Sequence, residues 1–400
     1  MTEQEHDKAI REELRRAKTP PRRPGMLRRL LPLLLAAAVV LGLAAFAAGR
    51  GLNSMDGVRR LFTYNKVRQD EDGKAELFRY DSDRSATYAA LGDGLLIVST
   101  TRIQFLGSTG EELWSKTVNF TNPAVTVGKK TAAVYDVGGT ELYIVGARGL
   151  VRTMDDAGGN GILSATLNAA DYLALTTLKS GYRAAVSAYD ASGAPVFTFN
   201  SSERYVSDAC VLADNRHLAA VTMGEAEGMF ASTLSFYAFD SDKAISTSTL
   251  NGSMVYALRP FGGKVAALED GRFTVFNADG SLAGSYRYEY PYLRGETVGG
   301  ADFGVLLLSR YRSGSVLRLV TVDTDGEKLG SLDARREVVG ISAAGRYVAV
   351  LYSDSLTIYT ADFTGVATLA STEFARQVVM RSDGTALLLG ASRAWLYIPG

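Results

Sequence analysis

Cysteine, histidine and tryptophan are scarce in this 400-residue chain, which has one Cys, two His and two Trp. A single thiol cannot form an internal disulfide, and the apolar run around Cys210 favours a buried, inert side chain. A Ser-His-Asp or Cys-His set would have to be built around His217, because His6 lies in the N-terminal tail. A polar residue at the start of a strand is the simpler interpretation of His217, so we predict no catalytic residue.

Sequence motifs for metals and phosphates are also missing. The segment Asp323–Glu327 (DTDGE) resembles the start of a calcium-binding loop, but it lacks the third acidic position and the distal Glu of such loops. We interpret it as a hairpin turn. The chain has no phosphate-binding motif of the GxxxxGK[ST] type. We therefore predict no metal site and no cofactor.

Acidic and basic residues balance at 43 each, but they are unevenly distributed. Residues 1–29 carry nine basic and five acidic side chains, whereas residues 70–400 carry 29 basic and 37 acidic ones. Binding to a phosphate backbone requires a basic surface. The acidic body of the chain therefore argues against nucleic acid as a partner.

The one long apolar run covers residues 30–48 and reads LLPLLLAAAVVLGLAAFAA. As a helix it would be about 28 Å long, close to the ~30 Å hydrocarbon core of a bilayer. Seven basic residues lie in the fifteen before it and three in the fifteen after it, which favours a cytoplasmic N-terminus. We predict a basic cytoplasmic tail (1–29), a transmembrane helix (30–48), a juxtamembrane linker (49–74) and an extracytoplasmic domain. A signal peptide cleaved near Ala45–Ala47 is the alternative, and it also exports the domain.

From about residue 75 the chain repeats one unit roughly every forty residues. Short apolar runs, typical of strands covered on both faces, mark the unit. These runs are Leu95–Val98, Thr131–Tyr135, Tyr172–Thr176, His217–Thr222, Lys264–Leu268, Gly304–Leu308, Tyr347–Tyr352 and Thr385–Leu389. Each follows another short strand, and most precede a hairpin whose turn combines Gly with Asp, Asn or Thr. The unit is therefore predicted to be a four-stranded antiparallel sheet.

Eight such sheets predict an all-β fold, an eight-bladed β-propeller over residues 75–400, with seven blades as the alternative. The last unit stops after its third strand, Trp395–Ile398, and an additional strand, Glu76–Tyr80, precedes the first unit. We predict that 76–80 pairs with 395–398 as the outer strand of the last blade. This pairing would close the ring and remove its open edges.

Two resemblances support this architecture. The hairpin FLGSTGEELW (105–114) is similar to the repeat of quinoprotein-type (PQQ-like) propellers, whose Asp-x-x-Thr-Gly turn leads to Trp, although Gly107 replaces the Asp. This resemblance implies the propeller fold but no bound quinone. The chain lacks the vicinal Cys pair and the repeated Trp turns of quinoprotein dehydrogenases. The layout of basic tail, single apolar span and degenerate propeller resembles bacterial envelope proteins known as domain of unknown function 5711. That resemblance covers nearly the whole chain and implies an envelope location without an assigned activity.

The connections between strands two and three of each blade, and those between blades, should meet at one face of the propeller. They are rich in Tyr and Arg, the residue types enriched at binding hot spots. The predicted binding face comprises Tyr182, Arg183, Arg204, Tyr205, Phe230, Tyr290, Tyr292, Arg294, Tyr311 and Arg312. For part of this set the alternative is structural, since Tyr286, Tyr288 and Tyr290 alternate as in an outer strand with one packed face.

The functional hypothesis is a membrane-anchored, non-catalytic binding or scaffold module for a cell-envelope protein or a wall ligand. One alternative is an envelope glycan lyase or hydrolase that uses carboxylates on the propeller face. A pair of carboxylates with raised pKa values in the central funnel would favour it. Another alternative is a transmembrane sensor, which an oligomeric state would favour.

Overall fold

The computed structural model describes residues 55–64, 67–154, 159–314, 316–372 and 375–399. The chain divides into two units, Met1–Val58 and Arg59–Gly400. Within the first unit the structure describes only 55–58, the first residues of helix α1 (Met55–Thr63). The predicted cytoplasmic tail and transmembrane helix lie outside the described residues. Over the residues that are described, no helix combines the length and the apolar character that a bilayer crossing demands.

The second unit is an eight-bladed β-propeller, each blade a four-stranded antiparallel sheet. Blade 1 contains β2 (Thr87–Leu91), β3 (Gly94–Val98), β4 (Arg102–Leu106) and β5 (Glu112–Thr117). Blade 2 contains β6 (Pro123–Val127), β7 (Thr131–Asp136), β8 (Leu142–Gly146) and β9 (Gly149–Thr153). Blade 3 contains β10 (Ile162–Leu167), β11 (Leu173–Lys179), β12 (Tyr182–Tyr189) and β13 (Pro195–Ser201). Blade 4 contains β14 (Tyr205–Val211), β15 (His217–Ala226), β16 (Met229–Ala238) and β17 (Ala244–Asn251).

The remaining blades repeat the same order. Blade 5 contains β18 (Val255–Phe261), β19 (Lys264–Glu269), β20 (Arg272–Phe276) and β21 (Leu282–Arg287). Blade 6 contains β22 (Tyr292–Thr297), β23 (Phe303–Ser309), β24 (Leu317–Asp323) and β25 (Lys328–Ala334). Blade 7 contains β26 (Val338–Ala344), β27 (Tyr347–Tyr352), β28 (Leu356–Thr360) and β29 (Gly365–Leu369). Blade 8 contains β30 (Gln377–Met380), β31 (Ala386–Leu389), β32 (Arg393–Tyr397) and β1 (Lys74–Arg79).

The core lies between the blades. The eight predicted apolar runs are the second strands of the blades, and β3, β23, β27 and β31 are buried along their whole length. The fourth strand β17 alternates between exposed and half-buried residues. Eight apolar clusters each join two neighbouring blades, for example Leu96 and Ile103 of blade 1 with Val134 of blade 2. The blades therefore cover one another, as expected for radially stacked sheets.

Blade 8 is built from both ends of the propeller sequence. Its strand order is β1-β32-β31-β30, with Lys74 opposite Tyr397 and Arg79 opposite Arg393. Both strands of this pair begin two residues earlier than the ranges predicted from the sequence. Phe78 of β1 packs in one cluster with Leu396 of β32 and Leu95 of blade 1, so the same strand completes blade 8 and covers blade 1.

The outer hairpins follow the turn chemistry expected from the sequence. Asp323 Oδ1 accepts hydrogen bonds from the backbone N–H groups of Asp325 and Glu327, both at 2.9 Å. Gly326 supplies the positive φ of 76° that this turn requires. The segment that resembles a calcium loop is thus the β24–β25 turn, in which Asp323 is engaged by its own backbone.

The chain reaches the propeller at one of its two ends. Arg59 forms an ion pair with Asp93 at 3.2 Å, and Arg60 Nη1 donates to the carbonyl of Asp383 at 3.2 Å. Asp93 and Asp383 lie between the first and second strands of their blades. We call this the proximal end. The connections from second to third strands and those between blades lie at the opposite end, the distal end.

Candidate functional site

The ten predicted binding residues all lie at or next to the distal end. They form two groups, one on blades 3 and 4 and one on blades 5 and 6. The first group contains Tyr182, Arg183, Arg204, Tyr205 and Phe230, and the second contains Tyr290, Tyr292, Arg294, Tyr311 and Arg312.

The sequence of two distal connections, residues 179–183 and 224–230, indicates long loops rich in aromatic residues or Arg, but the structure shows strand ends joined by tight turns. Residues 179–183 belong mostly to β11 and β12, and residues 224–230 mostly to β15 and β16. The turns are two residues long, and Gly181, Glu227 and Gly228 have φ values of 79°, 54° and 77°. Such turns match the twist of the strands, so the hairpins extend further than their composition indicates.

In the first group the arginines are engaged within the protein. Arg183 Nη1 donates to the Tyr205 hydroxyl at 3.0 Å, and its guanidinium carbon lies 5.2 Å from the centroid of the same ring. Arg204 Nη1 donates to Thr233 Oγ1 at 2.8 Å. Tyr182, Tyr205 and Phe230 are each about half exposed, at 45%, 51% and 46%. This group presents aromatic surface, but its cations already have partners.

In the second group three residues line a cleft of about 620 Å³ between blades 5 and 6. This volume lies in the usual range for ligand sites. The predicted residues Tyr292, Arg294 and Arg312 are joined there by Tyr256, Ala257, Leu268, Asp270, Pro291, Leu293, Gly295 and Glu296. The other two predicted residues do not line the cleft. Tyr290 packs against Arg318, whose guanidinium carbon is 4.7 Å from the ring centroid, and Tyr311 stands on the adjacent β23–β24 connection.

Two β-bulges place residues in the cleft. In β18, Val255 pairs with Glu269 and Ala257 with Leu268, so Tyr256 is an additional, unpaired residue. In β22 the same irregularity leaves Arg294 unpaired between Leu293 and Gly295. Bulges bend a strand and redirect a side chain. Similar irregularities follow Ile162, Val206 and Val338 in the first strands of blades 3, 4 and 7. The bulge is therefore a recurrent feature of the first strand. Its unpaired residue is Tyr256 in blade 5 and Arg294 in blade 6.

The cleft is lined by two carboxylates and two arginines, which have different partners within the protein. Asp270 Oδ1 accepts from Ser253 Oγ at 3.1 Å and from Met254 N at 3.3 Å, and Glu296 pairs with Arg259 at 3.2 Å. Arg294 Nη2 donates to the backbone carbonyl of Arg312 at 2.5 Å, which holds the Arg294 guanidinium next to the Arg312 backbone. Within the described parts of the chain, no acidic side chain lies at ion-pair distance from Arg294 or Arg312.

A second charged cluster lies on the first strands of three successive blades. Arg259 of β18 lies 3.6 Å from Asp208 of β14 and 3.2 Å from Glu296 of β22. Asp208 Oδ2 also accepts from Leu258 N at 2.9 Å, which links blades 4 and 5. Burial raises the pKa of Asp208, while Arg259 acts in the opposite direction. Arg259 offsets one of the two carboxylate charges, and its contacts with both neighbouring first strands link blades 4, 5 and 6.

His217 and Cys210 lie apart from the cleft. His217 begins β15 at the proximal end, and its Nδ1 is 2.5 Å from Asp214 Oδ2. Cys210 is fully buried in β14, and burial raises the pKa of its thiol. A buried thiol that holds its proton is a weak nucleophile.

Comparison with known structures gives the same fold. The chain is similar to the C-terminal WD40 domain of Sif2, with 12% identity, a TM-score of 0.56, and coverage of 82% of this chain and 99% of that one. It is similar to BamB from Moraxella catarrhalis, with 13% identity, a TM-score of 0.50, and coverage of 83% and 100%. It is also similar to the computationally designed Ika8 protein, with 10% identity, a TM-score of 0.53, and coverage of 80% and 99%. At these identities the likeness concerns the fold alone.

Among curated proteins, none matches the chain. The model of one protein family matches residues 63–380, which is most of the propeller. The eight-bladed propeller, together with this match, identifies the family without assigning it an activity. The chain belongs to the family of unknown function DUF5711.

Proposed function

We propose that this protein is a membrane-anchored, extracytoplasmic binding module whose distal end holds an envelope ligand, either a protein or a wall polymer. The observation that carries the proposal is the cleft between blades 5 and 6, which joins Tyr292, Arg294 and Arg312 with Tyr256. Aromatic and Arg side chains around a concave surface are typical of binding hot spots.

The anchor and the export are inferred from the sequence. Residues 30–48 have the length of a bilayer span, and the excess of basic residues before them favours an external propeller. Arg59 and Arg60 contact the proximal end, whereas the cleft lies at the distal end.

Pull-down with the full-length chain, solubilised from envelope membranes, tests the binding role. We expect the double variant Tyr292→Ala/Arg312→Met to lose the partner that the parent chain retains. The matched control, Tyr182→Ala/Arg183→Met, changes the same residue types at the other distal group and should retain it. Unchanged recovery with the first variant would remove the cleft as the binding site.

Labelling of intact cells tests the topology. Arg148 is exposed on the β8–β9 turn, whereas Cys210 is buried. We expect the variant Arg148→Cys to react with a membrane-impermeant maleimide on cells whose outer permeability barrier has been removed, whereas the parent chain should not react. Labelling that requires lysis of the cytoplasmic membrane would contradict an external propeller.

A further inference from the structure

The geometry of the cleft points to the class of its ligand, an inference that rests on the proposed binding function. We infer that the cleft binds an acidic peptide segment of a partner protein, with a carboxylate at Arg294 or Arg312 and neighbouring side chains against the apolar residues of the lining. The inference is carried by two arginines that have no ion-pair partner among the described residues and that line one cleft with exposed aromatic rings.

The arginines lack a counter-charge that a ligand would supply. Arg294 is the unpaired residue of a bulge, its Nη2 donates to the backbone carbonyl of Arg312, and both residues line the cleft. A carboxylate that reaches either guanidinium would form a charge-assisted hydrogen bond. A guanidinium binds a carboxylate through two parallel hydrogen bonds, which gives direction as well as strength.

The lining of the cleft combines polar and apolar groups. Its apolar part comes from Leu268, Pro291, Leu293 and the rings of Tyr256 and Tyr292. Tyr256 is 53% exposed, so a ligand that covers it removes a large apolar area from water. Aliphatic or aromatic side chains next to the carboxylate meet this requirement.

The cleft is also open to a ligand longer than one side chain. Tyr311, 53% exposed, stands on the connection that carries Arg312, and the guanidinium carbon of Arg310 lies 5.9 Å from its ring centroid. An extended segment that leaves the cleft would therefore meet a further Tyr and a further Arg. Acidic motifs are commonly recognised by such arginine clusters.

Matched peptide pools test the inference on the full-length chain in detergent. One pool holds capped hexapeptides with a single Glu or Asp among aliphatic and aromatic residues, and the second replaces the acid by Gln or Asn. We expect the acidic pool to be retained about tenfold better at low salt, the effect of one charge-assisted pair. The double variant Arg294→Met/Arg312→Met should abolish the difference, whereas Arg148→Met, which removes a distant exposed charge, should preserve it.

Equal retention of the two pools, or a preference that persists in the double variant, would overturn the inference. Phenylacetate is a small carboxylic acid with an aromatic ring. Saturable binding of phenylacetate to the cleft without retention of any peptide would also overturn the inference and would indicate a small carboxylic acid as the ligand. A cleft variant that loses its envelope partner although the pools bind equally would refute the ligand class and leave the proposed function in place.

Discussion

The hydroxyl of Tyr64 donates a hydrogen bond to Asp383 Oδ2 at 3.3 Å, across 319 residues of sequence. The Tyr64 hydroxyl oxygen in turn accepts a hydrogen bond from Arg381 Nη1 at 2.8 Å. Both Tyr64 and Arg381 are buried, and Arg381 Nε and Nη2 have no hydrogen-bond partner among the described residues. One phenol therefore joins a buried cation to a buried carboxylate where the chain first meets the propeller.

Removing this hydroxyl should destabilise the propeller. The variant Tyr64→Phe leaves Arg381 Nη1 without its acceptor in a buried site, which should lower the free energy of unfolding by about 1–3 kcal/mol. Thermal unfolding followed by tryptophan fluorescence measures the change. Tyr311→Phe, on an exposed ring, is the control and should have no effect. Equal stability of the parent chain and Tyr64→Phe would show that the hydrogen bond from Arg381 to the Tyr64 hydroxyl contributes nothing to the free energy of unfolding.

The turn at Gly326 should tolerate no side chain. Its φ is 76°, and a Cβ there would lie 2.5 Å from the backbone C of Gly284 and N of Ser285 in the neighbouring blade. Gly326→Ala combines backbone strain with a backbone clash and should cost at least about 2 kcal/mol of stability. Gly365→Ala is the control, because a Cβ at Gly365 meets no atom within 4 Å. A loss of the same size in both variants would contradict this reasoning.

Glu289 should make stability depend on pH in the acid range. Hydrogen bonds from Lys328 and Arg318 hold its pKa below the ordinary value, so its contribution is complete above the unfolded pKa of about 4.3. The contribution disappears as the pH falls through the lower, folded-state pKa. Glu289→Gln should therefore be less stable than the parent chain at pH 7, and the difference should vanish in strong acid.

The expected size of this effect is modest. Glu289 is about one-third exposed, so solvent screening limits the loss at pH 7 to roughly 0.5–1 kcal/mol. Parallel thermal unfolding between neutral and acid pH measures it. Glu71→Gln, at an exposed site before β1, should match the parent chain throughout. A difference that grows on acidification would reverse the predicted sign.

Asp208 should matter for adhesion between blades. Asp208→Ala leaves the buried N–H of Leu258 unpaired and removes one of the two carboxylates that pair with Arg259. Because Arg259 keeps its ion pair with Glu296, the free energy of unfolding should fall by about 2–3 kcal/mol, near the lower end of the losses seen when a buried ion pair is broken. The control is Asp354→Ala, which breaks an exposed pair with Arg336 and should change stability by less than about 0.5 kcal/mol. Similar losses in both variants would contradict a special role for Asp208.

The sequence is sufficient to predict the blades because each second strand contains a short, nearly continuous apolar run. Tyr347–Tyr352 is an example, since a strand covered on both faces has no polar position to confuse the pattern. The number of blades follows from counting such runs, and the additional strand near residue 76 indicates how the ring closes. These features depend on local composition, which a single sequence contains.

Other features depend on pairing that no local pattern reveals. Tyr256 was not among the predicted binding residues, because Val255–Leu258 reads as one regular strand and the bulge arises from its register with β19. Helix α1 falls inside the predicted linker, and its nine residues are too few for a stable isolated helix. The contacts of Arg60 and Tyr64 with Asp383 involve residues more than 300 positions away. The cleft itself needs two blades in contact.

The origin of blade 8 in both ends of the propeller sequence has a consequence for biogenesis. β1 is synthesised first, but its partner β32 is synthesised last, so the ring has an unpaired edge until translation has passed Tyr397. During that interval several apolar strands are already present, and such long-range pairing is slow and prone to aggregation. Until its final strand is delivered, the nascent chain therefore exposes an edge of the kind that chaperones protect in other proteins.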